Sequence, residues 1–563
     1  MQEELPPLEE EDLEAVIESV FADAAAATPA APPAGHSSKL APSYGNLWSG
    51  KGAYRPTFNM TEKAPLLFHM TRLWHGNVAP SVFRRWKRGL EYLVIILGDE
   101  EWDYITTCSG SDIDVKCMEA LEEYYRNELN IELKFLHVAS CEIMEKKQAF
   151  LLVEFPLSRF LFENLCHLTS IKALDVKSGK PQYVPRTRSQ ISGFSCLGRT
   201  RMNKNSAKNK GCVQLGTTET GVTFIHQADL IIRARSKVSA LENVKELSEK
   251  TASEADEQQY ESDVEFIIEY FKPHGFSVKV FRFCCTGWGS RVARLRLYFL
   301  IWETSGMPEW LVREAFALAE EMFMAMRYDQ LPADEFLLTD EQLAIWSQHM
   351  GPQQAVDSGG STWLEKHQEI FPQLGLSWPP DLGDLKPVLM PMGLRAAETA
   401  YACHIGFPLT VDNEWQFIEA NSSLERNLRY PPAAGKAISS PWTTTCRTFT
   451  SLSKVVIRKR DADGKITIRQ LHPIEQMRMI GWDLGHWRRG PQLWSSSVDP
   501  PLLGSLAGNA FSAFAFTPLW SASLGAYGHL QSRFKQLSKS PLAPSPCPTK
   551  TEVDTASDSD SGF

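Results

Sequence analysis

Hydrophobic and polar positions alternate along the chain in two periods, one typical of strands and one typical of helices. β-rich runs at 104–108 and 133–139 enclose a helix-like stretch that ends near Leu129. The remaining strand candidates are 190–196, 238–241, 276–283 and 295–301, and further helices are predicted over 146–155 and 264–271. Strands and helices that alternate at this spacing predict an α/β fold with a doubly wound, mostly parallel sheet.

Shifts in composition divide the chain into six predicted regions. They are a disordered acidic tail (1–45), a helical N-terminal extension (46–94), a core (95–302), a Trp- and Pro-rich region without alternation (303–460), a return to the core (461–533) and a disordered Ser/Pro-rich acidic tail (534–563). The segment 500–532 carries no Lys, Arg, Asp or Glu. Its glycines, prolines and hydroxyl residues make it a poor membrane span, so we expect a buried segment and no membrane partner.

Charge is concentrated at the two ends of the chain. The 563 residues are 43% hydrophobic and 22% charged, the balance of a soluble globular protein, and their formal net charge is −10. The first 38 residues hold nine acids and the last thirteen hold four, all without Lys or Arg, so residues 39–550 carry +3. The acidic total therefore does not exclude nucleic acid as a partner of the body of the protein.

The eleven cysteines are scattered along the chain and include no CxxC pair. This arrangement is typical neither of a disulfide framework nor of a zinc ribbon, and it favours a reducing compartment. We expect no metal site.

A turn of small residues follows the first predicted strand. Its residues are Cys108, Ser109, Gly110, Ser111 and Asp112. Small residues at a helix N-terminus let backbone N–H groups approach a ligand, as in nucleotide-binding sheets. Glu142 ends the next strand, where an acid can accept hydrogen bonds from a ribose, although an exposed acid that merely closes a strand fits the pattern as well.

Cys196 ends a later strand candidate and is surrounded by cations without an intervening acid. These cations are Arg186, Arg188, Arg199, Arg201, Lys204, Lys208 and Lys210. Nearby cations lower the pKa of a thiol and raise its thiolate fraction, so Cys196 is a candidate nucleophile. The same seven residues can bind phosphates. The alternative is an inert buried cysteine beside a solvated basic loop.

Three more charged residues lie in or next to strand candidates. Glu242 follows a short apolar run, and an acid at the end of a strand can act as a general acid. Arg294 and Arg296 alternate with apolar residues and are predicted to share one face of a strand. An anion or carboxylate partner explains such a pair, and so does an edge strand with one solvated face.

The order of these motifs resembles that of the C5-cytosine DNA methyltransferases. Five motifs follow the family's linear order. They are the small-residue turn, the acid at 142, Gly-Phe-Ser-Cys at 193–196, Glu-Asn-Val at 242–244 and Arg-x-Arg at 294–296. The segment from Arg469 through Glu475 to Gly481 is similar to the family's Arg-x-Leu-Thr-x-x-Glu…Gly motif, and Gly-Asn-Ala at 508–510 is similar to its Gly-Asn-Ser/Ala motif. The resemblance covers residues 104–515. It implies a sheet of the S-adenosylmethionine-dependent methyltransferase type, with 303–460 as a large inserted target-recognition region.

The resemblance also implies a role for each matching residue. The turn from Cys108 to Asp112 would line the S-adenosylmethionine site, with Glu142 on the ribose, Asn164 on the adenine and Asn509 closing the pocket. Cys196 would attack C6 of a flipped cytosine, and Glu242 would protonate or hydrogen-bond N3 of that base. Arg294 and Arg296 would hold the base and support the nucleophile or the acid.

Several supporting positions depart from the family's pattern. Ser195 stands where the family has proline, Leu197 and Val292 stand where it has glutamine, and Ser111 stands where glycine is usual. The leading hypothesis is an active, divergent DNA cytosine-C5 methyltransferase that is monomeric and nuclear, with the cytoplasm as the alternative location. A catalytically inactive nucleic-acid-binding or regulatory protein on the same fold, and an RNA cytosine-C5 methyltransferase, remain open.

Overall fold

The structure is a computed structural model that describes residues 66–200, 203–250, 260–344, 369, 372, 399–400, 402–404, 407, 409, 412–420, 446–447, 455–482 and 500–539. All of these residues belong to one compact unit, Pro56–Phe563. The predictions for the N-terminal tail, for Arg201, for much of 303–460 and for the chain beyond 539 lie outside the described residues.

The strands of the described residues alternate with helices, as the sequence pattern predicts. In chain order the strands are β1 (Trp102–Thr107), β2 (Phe135–Cys141), β3 (Phe160–Phe162), β4 (Lys172–Asp175), β5 (Lys180–Tyr183), β6 (Ser189–Ser192), β7 (Val238–Val244), β8 (Phe276–Cys284), β9 (Val292–Ala293), β10 (Leu295–Glu303), β11 (Gln416–Glu419), β12 (Cys446–Arg447), β13 (Val455–Arg460) and β14 (Ile466–Gln470). The α-helices are α1 (Leu66–Gly76), α2 (Pro80–Leu97), α3 (Ile113–Leu129), α4 (Glu145–Glu154), α5 (Thr218–Ala234), α6 (Asp263–Phe271), α7 (Glu309–Ala325), α8 (Pro473–Met479), α9 (Pro500–Asn509) and α10 (Ala513–Lys539).

Nine strands form one sheet in the order β5-β4-β3-β2-β1-β6-β7-β10-β8. The five central neighbours in this order, β3, β2, β1, β6 and β7, pair in parallel. β10 lies antiparallel between β7 and β8. The sheet grows from β1 towards β3 on one side and from β6 towards β7 on the other, so the strand order reverses between β1 and β6. In open α/β sheets, ligands bind at such a point, outside the carboxyl ends of the strands. The predicted fold class, a doubly wound, mostly parallel α/β sheet, is confirmed by this topology.

The central strands are buried on both faces. Every residue of β6 and β7 is buried. Strands in this position do not alternate between polar and apolar residues, because helices cover both faces of a parallel sheet. The polar side chains of β7, Ser239, Glu242 and Asn243, therefore need partners inside the protein.

The C-terminal helix α10 is a core element that packs against α2. Its residues from Ala513 to Gly528 are all buried. Three glycines, Gly89, Gly525 and Gly528, bring the two helices into backbone contact, since a Cβ on Gly528 would lie 2.1 Å from the carbonyl oxygen of Gly89. Within the described residues, 502–539 is the one helical stretch long and apolar enough to cross a membrane, and 72% of its most apolar window is buried inside the fold.

Some elements differ from the sequence prediction. The helices α5 and α7 and the short strands β3, β4 and β5 were not predicted, and α10 extends through Lys539, beyond the predicted start of a disordered tail at 534. The strand predicted over 190–196 ends at Ser192. Cys196 therefore lies in a loop rather than in the sheet.

Candidate active site

The strands β1 and β6 end side by side and release the two loops of the candidate site. Thr107 is the register partner of Ser192, so the turn 108–112 and the loop 193–198 leave the sheet at the same edge. This edge is the carboxyl end of both strands, at the point where the strand order reverses. The two loops that carry the predicted cofactor residues and the predicted nucleophile are therefore neighbours.

The loop that carries Cys196 is bound to the adjacent strand β7. Nδ2 of Asn243 donates hydrogen bonds to the carbonyl oxygens of Phe194, at 2.8 Å, and Ser195, at 3.3 Å. Asn243 is fully enclosed, so its amide serves the loop and not the solvent. The sequence motif contained Asn243, but no role was predicted for it; a polar residue inside a buried strand was the available signal.

Glu242 and Arg296 form an ion pair beside this loop. Nε of Arg296 lies 2.9 Å from Oε1 of Glu242, across the antiparallel strands β7 and β10. The contact does not have the angles of a hydrogen bond, and Oε1 is buried without a hydrogen-bond partner among the described residues. A Cβ on Gly193 would lie 3.5 Å from Oε2 of Glu242, so this glycine leaves room in front of the carboxylate.

Arg294 is buried between β9 and β10 and reaches the end of helix α9. Its Nη1 donates a hydrogen bond to the carbonyl oxygen of Gly508 at 2.8 Å. Its Nε is buried and has no hydrogen-bond partner among the residues that the structure describes. A buried guanidinium N–H without an acceptor is rare, and an acceptor on a ligand is one partner that would satisfy it.

Burial raises the pKa of the Cys196 thiol above its ordinary value. Arg296 and Arg294 lower this pKa, and Glu242 raises it. The prediction that the cations of the loop give Cys196 a lowered pKa is therefore wrong, because burial outweighs the charges and the two strand arginines are the leading cations. The same interactions show that Cys196, Glu242, Arg294 and Arg296 form one electrostatic cluster.

Glu142 is bound to the turn after β1. The N–H groups of Gly110 and Met144 donate to its Oε2 and Oε1, at 2.8 Å and 3.0 Å. Gly110 and Asp112 have φ angles of 56° and 49°, the left-handed region that bends the chain towards β2. Glu142 is only 5% exposed, so the alternative of an exposed acid that merely closes a strand is wrong.

The turn contains buried polar atoms that lack partners and suit the predicted cofactor. Ser111 Oγ and Asp112 Oδ1 are buried without a hydrogen-bond partner among the described residues. Burial raises the pKa of Asp112 to about 6, against a lowering by the hydroxyl of Ser140. A carboxylate has about four acceptor positions, so Glu142 keeps acceptor capacity for ribose hydroxyls. Acceptors of this kind fit the ammonium and hydroxyl donors of S-adenosylmethionine.

The other predicted cofactor residues have local structural partners. Asn164 Oδ1 accepts the N–H of Cys166 at 2.9 Å and caps the 3₁₀ turn Leu165–Thr169. Asn509 is exposed, and its Nδ2 donates to Ser505 Oγ at 3.2 Å. Ser109 Oγ accepts the N–H of Cys141 at 3.2 Å, and burial raises the pKa of Cys108 to about 12, which keeps it a neutral thiol.

The predicted basic cluster separates into groups with different surroundings. Arg186 and Arg188 precede β6 and so lie at the opposite edge of the sheet from Cys196, where Arg188 Nη1 pairs with Asp103 Oδ1 at 3.2 Å. Lys204 and Lys208 are exposed and Lys210 is half-buried, all in the loop after Cys196. Arg201 lies outside the described residues.

Arg199 has a structural role that the sequence did not indicate. It is fully buried, and its Nη1 donates to the carbonyl oxygen of Ser206 at 2.6 Å while Nη2 donates to that of Glu246. Its Nε lies 3.8 Å from Asp263 Oδ2. The prediction that Arg199 contacts phosphates is wrong, because its guanidinium forms the centre of the loop that presents the three lysines.

The C-terminal motif forms a buried ion pair. Arg469 binds Glu475 through two hydrogen bonds, Nη1 to Oε2 at 2.8 Å and Nη2 to Oε1 at 2.7 Å. The same carboxylate accepts the N–H groups of His472 and Leu338, at 2.7 Å and 2.8 Å. These contacts join β14 to helix α8 and to the segment that contains Leu338. Their role is therefore to hold these parts of the fold together, and none of them is available to a substrate.

No family model and no curated protein matches this chain. Among solved structures it is similar to the Entamoeba histolytica methyltransferase EhMeth, with 11% identity over 76% of this chain and 98% of that chain at a TM-score of 0.38. It is similar to the S. pombe Dnmt2 methyltransferase, with 12% identity over 76% of this chain and 98% of that chain at a TM-score of 0.38. It is similar to a putative DNA modification methyltransferase encoded within a prophage of E. coli, with 13% identity over 77% of this chain and 100% of that chain at a TM-score of 0.37. Likenesses this distant do not establish a family, and a function for this chain has to rest on its own residues.

Proposed function

We propose that the protein is an S-adenosylmethionine-dependent methyltransferase that acts on C5 of cytosine in DNA. The observation that carries the proposal is the cluster of Cys196, Glu242, Arg294 and Arg296 at the carboxyl ends of β6 and β7. A thiol, an acid in an ion pair with an arginine and a guanidinium whose buried Nε lacks a hydrogen-bond partner among the described residues are groups suited to addition to a pyrimidine ring. They lie next to a turn whose unpartnered buried oxygens fit the methyl donor.

Cys196 acts as the nucleophile in the proposed reaction. Its thiolate forms a bond to C6 of the cytosine, and the electron pair of the C5–C6 double bond moves into the ring. Glu242 holds a proton at N3, where negative charge would otherwise build up, and Arg296 orients this carboxyl group. The adduct is nucleophilic at C5. Once C5 has formed its bond to the methyl group, loss of the C5 proton to water restores the C5–C6 double bond and expels the Cys196 thiolate.

The residues around the turn hold the methyl donor in this proposal. Glu142 accepts the ribose hydroxyls, and Ser111 and Asp112 bind polar groups of the amino-acid end. When bound, S-adenosylmethionine supplies an electrophilic methyl group. The cytosine has to leave the base stack to reach a site this enclosed, and the exposed lysines 204 and 208 are suited to the flanking phosphates. Such a substrate would place the protein in the nucleus.

A mechanism-based trap tests the proposal. The purified full-length protein would be incubated with S-adenosylmethionine and DNA that contains 5-fluorocytosine. Fluorine replaces the C5 proton in this base and cannot be removed in its place, so the thiolate is not expelled and the Cys196–C6 bond persists. We expect a covalent complex that survives denaturation and is absent for Cys196→Ala. Cys166→Ala, which alters another partly exposed thiol, is the matched control and should still form it.

Two further measurements separate the alternatives. The same trap with 5-fluorocytosine RNA distinguishes an RNA substrate, because exclusive trapping on RNA would overturn the DNA assignment. Calorimetry with S-adenosylmethionine distinguishes a nucleic-acid-binding scaffold without activity, for which we expect no binding of the methyl donor. Absence of a complex on any nucleic acid would overturn the enzymatic proposal.

A further inference from the structure

Ser195, directly before the proposed nucleophile, is bound to the first turns of helix α5. Its N–H donates to Thr223 Oγ1 at 3.1 Å, and its Oγ donates to Glu219 Oε2 at 3.2 Å. Thr223 Oγ1 in turn donates to the carbonyl oxygen of Glu219 at 2.6 Å. Both the backbone and the side chain of Ser195 are therefore tied to one helix.

The chain on the other side of Cys196 is tied to the same helix. The N–H of Gly198 donates to Thr220 Oγ1 at 3.0 Å. A Cβ on Gly198 would lie 2.5 Å from Thr218 Oγ1, so the loop touches the helix with no room for a side chain. The contacts of Ser195 and Gly198 thus bracket Cys196.

The hydrogen bonds from Ser195 to Thr223 and Glu219 and from Gly198 to Thr220 form a tether between the loop and α5. Glu219 is suited to its place in this tether. Burial raises its pKa and the hydrogen bond from Ser195 lowers it. A partly buried carboxylate loses contact with water, and a hydroxyl donor compensates that loss. The bond to Ser195 therefore stabilises the acid and the loop together.

We propose that Ser195 and Glu219 are positioning residues that hold Cys196 beside the Glu242–Arg296 pair. The restraint is of a different kind from that of a proline, which fixes φ covalently. Here the residue before the nucleophile is fixed by hydrogen bonds to α5, which can break and re-form. The catalytic consequence rests on the proposed function, but the effect on the Cys196 thiol does not.

Loss of the tether has two expected effects. A freed loop lets Cys196 move from its half-buried position into solvent, so its pKa falls towards the ordinary value and the thiol is alkylated faster. Methyl transfer becomes slower, because a displacement of about 1 Å of a reacting group can cost up to about 100-fold in rate. The residues proposed to bind the methyl donor follow β1 and β2, whereas the tethered loop follows β6, so we expect binding of the methyl donor to be unaffected.

The experiment compares Ser195→Ala and Glu219→Ala with Ser195→Thr, which keeps both the N–H and the hydroxyl. It measures kcat, KM for S-adenosylmethionine, and the pH profile of Cys196 alkylation by iodoacetamide in the absence of substrates. We expect both alanine variants to lose about tenfold in kcat at unchanged KM and to be alkylated faster with a midpoint at lower pH. Ser195→Thr should restore both properties.

Glu320→Gln, which changes an exposed acid on α7, is the control for removal of a carboxylate and should match the wild type. Urea unfolding of each variant shows whether the protein remains folded at the temperature of the assays. Wild-type kcat and alkylation in both alanine variants would overturn the proposal, and so would a lower kcat with an unchanged alkylation profile. If the wild type transfers no methyl group, the proposed function fails, and the alkylation profiles alone decide whether the tether positions Cys196.

Discussion

Three charged side chains affect the pKa of the Cys196 thiol in opposite directions. Burial raises the pKa of Cys196, Arg296 and Arg294 lower it, and Glu242 raises it. The two arginines limit the rise in the pKa of this half-buried thiol, which favours its reactivity because only the thiolate is nucleophilic. The ion pair of Arg296 with Glu242 therefore affects the nucleophile as well as the acid.

Two substitutions should move the reactivity of Cys196 in opposite directions. Glu242→Gln removes the charge that raises the pKa of Cys196, so alkylation by iodoacetamide at about pH 8 should be faster. Arg296→Gln removes the leading charge that lowers this pKa, so alkylation should be slower. Each change is expected to be about threefold to tenfold, the effect of about one pKa unit or less.

The measurement is mass spectrometry of the Cys196 peptide after timed alkylation, with the Cys166 peptide of the same digest as the internal reference. The rate of methyl transfer should fall in both variants, because one removes the proposed acid, Glu242, and the other removes its ion-pair partner, Arg296. A shift of both alkylation rates in the same direction would contradict the electrostatic account of this cluster.

Asp112 gives a second effect at the residue scale, on stability. Burial raises its pKa to about 6, against hydrogen bonds from Ser140, Thr106 and Ser109 that lower it, while Glu142 raises it further. Burial and, after it, the charge of Asp112 raise the pKa of the neighbouring Asp114, and His137 Nε2 lies 3.9 Å from Asp112 Oδ2. A carboxyl whose pKa is higher in the folded state binds more protons there than in the unfolded state, so its contribution to stability falls as the pH rises from about 4 to about 6.

Asp112→Asn should therefore stabilise the protein at neutral pH. The amide cannot ionise, so the variant avoids a free-energy cost on the order of 1–3 kcal/mol. Urea unfolding of the variant and the wild type at about pH 7.5 and about pH 4.5 measures the difference. We expect a clear gain at the higher pH and a small difference at the lower one. An equal loss of stability at both pH values would contradict the prediction and indicate that the hydrogen bond to Ser140 needs the carboxylate.

The crossing of α2 and α10 is an element-scale feature with a strict steric requirement. A Cβ on Gly528 would lie 2.1 Å from the carbonyl oxygen of Gly89, and a Cβ on Gly89 would lie 1.8 Å from that of Gly525. The obstacle in both cases is backbone, which cannot move without separating the helices. Glycine is unfavourable inside a helix by about 1 kcal/mol relative to alanine, so its presence here is explained by the contact alone.

Gly528→Ala should destabilise the protein by about 2–4 kcal/mol, because the added methyl group forces the two helices apart. Gly76→Ala is the matched control, since a Cβ there meets nothing within 4 Å and should be neutral or slightly stabilising. Thermal and urea unfolding of both variants measure the effect. Unchanged stability of Gly528→Ala would contradict the backbone contact between α2 and α10.

The success of sequence-based prediction also differs between elements. The longer strands β1, β2, β7, β8 and β10 and the helices α3, α4 and α6 were predicted from their hydrophobic period, whereas the 17-residue helix α5 was missed. The short strands β3, β4 and β5 were missed because three or four residues hold too little of a period to distinguish from a loop. The insertion of β10 between β7 and β8 has no signal in the sequence, since pairing partners far apart in the chain are selected by packing.

The same limit explains the outcome at the site. Cys196, Glu242 and the two arginines belong to short motifs whose order could be read, and the structure brings them together. Arg199 was grouped with the surface cations because its neighbours in sequence are basic. Its partners, Glu246 and Asp263, come from distant elements, so its burial depends on tertiary structure that no local pattern encodes.

The charge of the whole molecule sets a further condition on nucleic-acid binding. The formal net charge is −10, yet the first 38 residues hold nine acids and no Lys or Arg. Lys204 and Lys208 are exposed and Lys210 is half-buried in the loop after Cys196. A polyanion therefore meets long-range repulsion from the chain as a whole and local attraction at this loop, and salt screens the first more than the second.

Deletion of residues 1–38 removes the nine acids and should tighten DNA binding at low salt, about tenfold at 20 mM and with little effect at 300 mM. Replacement of Lys204, Lys208 and Lys210 by glutamine should weaken binding and reduce the slope of log affinity against log salt by up to about 3. Fluorescence anisotropy of a labelled duplex across salt concentrations measures both effects. The two changes should be combined, because a gain that disappears in the triple-lysine variant means that the acidic segment competes with DNA for this loop. A gain that persists means that the segment repels DNA from the molecule as a whole, and unchanged affinity on deletion at low salt would contradict both.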